Sequence, residues 1–213
     1  CITLVSPYTF LKRRSDEITC SGLAIKSSSS WNSLWSADIA WCLSPSFLFL
    51  NDRSFERECQ IIFFFSGGHT EIDAEGDGID ANGILTVSGG ETYVSGPTGD
   101  GNGALDYETG AVITGGILVA AGSSGMAVNF GNNSMQGSVL VNMDRQEAGT
   151  DIVLTDTSGT ELINWQTSKK YTSVVISCPG IAQGESYTLK AGTSKTTVTM
   201  DSLIYGTGNT MGR

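Results

Sequence analysis

Three Gly-Gly pairs, at residues 67–68, 89–90 and 115–116, recur 22 and 26 residues apart, and the text between them recurs too. Gly76-Asp-Gly-Ile-Asp-Ala-Asn-Gly83 precedes Ile-Leu-Thr-Val-Ser and the second pair. Gly101-Asn-Gly-Ala-Leu-Asp-Tyr-Glu-Thr-Gly110 precedes Ala-Val-Ile-Thr and the third. Superposing the pairs places Ile79 on Leu105, Asp80 on Asp106, Val87 on Ile113 and Gly96 on Gly122. After the pairs, Thr70 and Ile72, Thr92 and Val94, and Leu118 and Ala120 fall in register. Side chains alternate along a strand, so this row suits an interior, and Glu71, Tyr93 and Val119 point the other way, towards solvent. Glycine provides the positive-φ corners between flat faces. A unit this short cannot bury its apolar row alone, whereas stacked units bury a continuous one. The expected fold is all-β, a β-solenoid of few rungs. An antiparallel meander could use the same glycines but would not force identity at matched positions.

The repeat occupies only part of the chain. Of 27 glycines, Gly22 alone lies before residue 67. Seven of eight Phe, three of four Trp and four of five Cys lie in the first 66 residues, which carry no net charge. Residues 67–213 carry the whole net charge of −10. Three units are expected: 1–64, 65–134 as β-helix rungs, and 135–213 as an antiparallel β cap and tail. Residues 1–64 fit neither helical nor strand periodicity. Residues 31–50 are apolar but broken by Asp38 and Pro45, so no clear membrane span emerges. The segment reads as something other than a native domain, such as a shifted reading frame. Cys1 suits a lipidated N-terminus, or the arbitrary start of a fragment. The Cys are scattered, with no CxxC and one His, which argues against a zinc site.

Between Arg57 and Arg145 there is no Lys or Arg, yet nine carboxylates lie between Glu71 and Glu108. A pI near 4.4 argues against a nucleic-acid partner. In a rung stack Asp80 and Asp106 sit about 5 Å apart, where like charges repel by roughly 1 kcal/mol in water and by more near a protein surface. A hard divalent cation relieves that repulsion. Calcium suits irregular oxygen ligation, and Asp77, Asp80, Asn82, Asp100, Asn102 and Asp106 are the candidate metal ligands. A solvated acidic face, or Asn and Asp capping turns, is the competing reading. Asp73-x-Glu75-x-Asp77-Gly78 opens like an EF-hand loop, but Ile84 stands where the closing Glu belongs. Beyond residue 138, strands are expected at 138–143, 151–157, 161–167, 171–178 and 186–191, separated by Gly- and Pro-bearing turns. They suit a cap over the open edge of the helix. Lys169, Lys170, Lys190 and Lys195 read as solvated.

Ala74-Glu-Gly-Asp-Gly-Ile-Asp-Ala-Asn-Gly83, Ser88-Gly-Gly90, Ser95-Gly-Pro-Thr98, Gly101-Asn-Gly-Ala-Leu-Asp-Tyr107 and the run from Thr114-Gly-Gly to Met126 together resemble a family of bacterial carbohydrate-binding domain proteins. The resemblance spans about residues 67–206 and is most specific over 74–126. It implies a calcium-loaded right-handed parallel β-helix, shaped like pectate lyases but binding polysaccharide without cleaving it. Asp77 and Asp80 match the family's Gly-Asp-Gly-Ile-Asp corner, and Asp106 its Ala-Leu-Asp-Tyr corner. Tyr93 and Tyr107 are the sugar-stacking candidates, with cross-rung stacking as the alternative.

A calcium-dependent lyase needs Arg or Lys beside the metal as base, and the acidic repeat contains neither. A glycosidase needs two carboxylates of unequal pKa about 5–10 Å apart. A Ser-His-Asp device would have to use His69. The expectation is therefore non-catalytic binding of cellulose- or pectin-type plant cell-wall polysaccharide, outside the cell or on its surface. A calcium-dependent lyase and a structural surface repeat follow as alternatives.

Overall fold

The computed structural model describes residues 8–13, 63–206 and 208. The expectations for Cys1, for residues 31–50 and for most of 1–64 lie outside the described residues. Among the described residues the protein is all-β, with no helix and therefore no helix long and apolar enough to cross a membrane.

The three Gly-Gly pairs lie inside strands β2 (Phe63–Ala74), β4 (Ile84–Ser95) and β6 (Gly110–Gly122), not at corners between strands. These strands pair in parallel, and the ladder shifts register at each pair. The second glycine of each pair has φ of 78–85°. A Cβ on Gly116 would come within 2.7 Å of the Gly89 carbonyl carbon, and one on Gly90 within 2.6 Å of that of Gly67. Glycine is thus needed twice over, for a left-handed backbone and for close approach of the neighbouring strand. The pairs bend all three strands at one level without breaking the sheet.

The positional matches read from the repeat are strand partners. Thr70, Thr92 and Leu118 lie side by side, as do Ile72, Val94 and Ala120, and Val87 faces Ile113. A two-stranded parallel sheet of β3 (Ile79–Ala81) and β5 (Leu105–Tyr107) pairs Ile79 with Leu105 and Asp80 with Asp106. One core lies between this small sheet and the large one, built from Ile72, Ile79, Leu85, Val87, Leu105, Ile113 and Leu118 among others.

The large sheet is mixed. β1 (Tyr8–Arg13) joins β2 in parallel, with Tyr8 opposite His69. Beyond β6 the direction reverses: β10 (Tyr171–Ser177) pairs antiparallel with β6, and β7 (Ser138–Gln146) with β10. β13 (Ile204–Tyr205) closes the far edge in parallel. The last parallel strand therefore has its edge covered. A four-stranded antiparallel sheet, in the order β12 (Ser194–Thr199), β11 (Ser186–Ala191), β8 (Asp151–Asp156), β9 (Glu161–Gln166), builds a second core against the large sheet's opposite face.

That second core corrects the expectation that the outward row meets solvent. Across the large sheet this row runs Glu71, Tyr93, Val119, Ile176, Val139. It turns apolar along its length, and Val119, Ile176 and Val139 are fully buried beneath the antiparallel sheet. Its Glu71 and Tyr93 members stay partly exposed.

Candidate functional site

Alternation in β3 and β5 decides what the small sheet offers. Ile79, Ala81 and Leu105 are buried in the first core, so Asp80 and Asp106, between them or beside them, take the outer face as direct partners. Parallel neighbours are separated by about 4.8 Å. Asp77 lies one turn earlier, where its Oδ1 accepts the Gly103 N–H at 2.8 Å, while the Gly78 N–H donates to the Gly103 carbonyl. This locks the loop of Asp77 to the loop holding Asn102. Asn82 is exposed just past β3. Asp100 departs from the group: it is exposed, accepts the Ser123 hydroxyl, and crowds Gly125. The structure thus brings Asp80 to Asp106 and Asp77 to the loop of Asn102, and places Asp100 elsewhere. Among the described residues no three His, Cys, Asp or Glu side chains converge as a metal-binding group. The donor set fits calcium only as two carboxylates supplemented by carbonyl, amide or water oxygens, which calcium's loose geometry accepts.

The tyrosines occupy different settings. The Tyr107 ring packs on the first core and its hydroxyl donates to the Asn129 carbonyl. Tyr93 stands on the outward face of β4, half-buried. Its ring centroid lies 5.5 Å from Trp165 of β9 and 5.4 Å from His69 of β2. Burial, then the charges of Glu91 and Glu71, push its phenol pKa upward.

The outward face of β2 and β4 carries a second cluster. His69 sits between two carboxylates, with Nδ1 3.2 Å from Glu91 and Nε2 3.3 Å from Glu71. Burial alone would lower its pKa, but the hydrogen bonds and charges of both glutamates raise it overall. Further along the same strand, Lys169 reaches in from the loop after β9. Its Nζ lies 2.8 Å from Asp73, 3.0 Å from Glu75 and 2.5 Å from the Ala74 carbonyl. Its side chain is only 13% exposed, which corrects the reading of Lys169 as solvated and of the acidic stretch as without internal balance. Burial would lower its pKa too, yet Asp73 and Glu75 hold it above the ordinary lysine value. An ammonium so held remains protonated and makes a poor base. Ser168 strengthens the same junction through Asp73 and Ser95.

Trp165 had no part in the sequence reading, and the settings of His69 and Lys169 were not legible there, because Glu91, Tyr93, Asp73 and Glu75 meet them only through pairing distant in the chain. The available signal was rarity, since His69 is the only histidine and Trp165 the only tryptophan after residue 66. Comparisons with family models, curated proteins and solved structures found no match.

Proposed function

We propose that this protein binds polysaccharide without cleaving it, and that calcium at the Asp80–Asp106 ladder steadies the surface involved. The observation that carries the reading is the register of β3 on β5, which sets two carboxylates side by side on an outer face whose inner side is core. Parallel β2, β4 and β6, with β3 and β5 between them in the chain, suit the end of a right-handed parallel β-helix. The aromatic cluster of Tyr93, His69 and Trp165 supplies flat rings of the kind that pack on a pyranose face. Tyr107 is less suited, with its hydroxyl engaged by Asn129. A place outside the cell or on its surface follows from a polysaccharide ligand.

The lyase reading gains little from Lys169, a cation held against the acidic strand, because two carboxylates keep it charged. The test is a pull-down on insoluble cellulose and on calcium-pectate gel, with and without chelator, beside an absorbance assay for unsaturated product on polygalacturonate. Retention that weakens with chelator and no absorbance gain is expected. Turnover of polygalacturonate would instead establish a lyase, and no retention on either matrix would remove the binding reading.

A further inference from the structure

The open end of the outward row has a chemistry of its own. Tyr93 and Trp165 come from different sheets, one from the parallel strands and one from β9, and meet with their rings 31° apart. Glu71 and Glu91 border them with side chains 43% and 50% exposed. In the structure the partner of these glutamates is a flat cation-forming ring, that of His69, lying against the Tyr93 face at 5.4 Å. Asp73 near the end of β2 and Glu75 just past it hold a second cation, Lys169, in the same manner. This face twice gathers a nitrogen base between two carboxylates. Even with His69 protonated, Glu71 and Glu91 leave a net negative charge beside aromatic faces, the setting in which ammonium groups are attracted. A uronate polymer would instead bring like charge to the glutamates.

We propose that Tyr93, Trp165, Glu71 and Glu91 form a glycan subsite selective for a polymer bearing protonated amines, an amino-sugar chain. The sugar ring lies along the half-buried aromatic pair and its ammonium group is drawn to the glutamates. The inference rests on the polysaccharide-binding reading above and moves the preferred ligand from the cellulose and pectin types to a cationic one.

The test is calorimetric titration of the full chain at mildly acidic pH with three soluble oligosaccharides: deacetylated chitosan oligomer, its N-acetylated counterpart, and oligogalacturonate. The deacetylated oligomer is expected to bind at least about tenfold more tightly than the N-acetylated one, and oligogalacturonate least. In the surface variant Glu71→Gln/Glu91→Gln the preference for the amine should disappear while N-acetylated binding persists. Tyr93→Phe, which keeps the ring, should retain the preference. Equal binding of both chitin-derived oligomers by the native chain, or an unchanged preference in the double glutamine variant, would overturn the subsite. A lysine-rich peptide binding more tightly than any sugar would also overturn it, in favour of a protein partner. Retention on cellulose or pectate that ignores the double glutamine variant would leave the broader reading standing while this subsite fails. Absence of all glycan binding would remove both.

Discussion

Gly116 shows how one hydrogen in place of a side chain sets the path of three strands. Its φ of 85° and the 2.7 Å separation a Cβ would have from Gly89 mean that Gly116→Ala meets two penalties, one from its own backbone and one from its neighbour's. A left-handed non-glycine residue costs roughly 1–2 kcal/mol before any clash. Equilibrium denaturation of Gly116→Ala should therefore show a loss of at least about 2 kcal/mol. Gly67→Ala, where no atom of the described residues lies within 4 Å of the added carbon, should stay within about 0.5 kcal/mol. His69 sets a pH signature at the same scale. Its folded pKa exceeds 6.5, so its ion pairs with Glu71 and Glu91 stabilise fully below 6.5 and fade as pH rises through the folded pKa. With the group 39% exposed, solvent screening limits the effect to a few tenths of a kcal/mol. Melting curves across mildly acidic to mildly alkaline pH should show that small decline in the native chain and lack it in His69→Gln. Cys178 is buried and its thiol is pushed up to about 11 by that burial, so a thiol reagent should label it only at the rate of unfolding. Rapid labelling under native conditions would place it at the surface.

Strands carry the division between what alternation reveals and what it hides. The interior row of Ile72, Val94 and Ala120 was legible, because small and apolar residues alternate with larger or polar ones along β2, β4 and β6. The Asp80–Asp106 register was legible too, since matched corners in a repeat become neighbours. The strands after residue 138 were also foreseen within a few residues, from turn chemistry. The outward row was not. Its burial depends on which sheet folds back over it, a long-range choice that local periodicity does not record. Leu118 belongs to the legible set: fully buried in the first core between β4 and β10, it should lose about 2–5 kcal/mol on change to Ala. Lys169 belongs to the hidden set. Lys169→Met should cost about 1–2 kcal/mol in denaturant unfolding, since Asp73 and Glu75 stay open to water when their partner is lost. A value indistinguishable from zero would show that the clamp contributes little in solution.

Across the whole molecule, two cores share one sheet. The parallel strands enclose the first between themselves and β3–β5, and the reversal at β10 lets the antiparallel sheet enclose the second. This arrangement separates two acidic surfaces, one on the small sheet and one at the open end of the outward row. The second is offset in part from within by His69 and Lys169. The first has its carboxylates aligned by register, and that alignment is what the calcium proposal requires. Calcium titration by calorimetry, on the native chain and on Asp80→Asn and Asp106→Asn, tests it most directly. The expected result is saturable binding in the native chain, weakened about tenfold or more by either single change and further still by the pair together. Equal calcium affinity in all of these proteins, or none in the native chain, would contradict it.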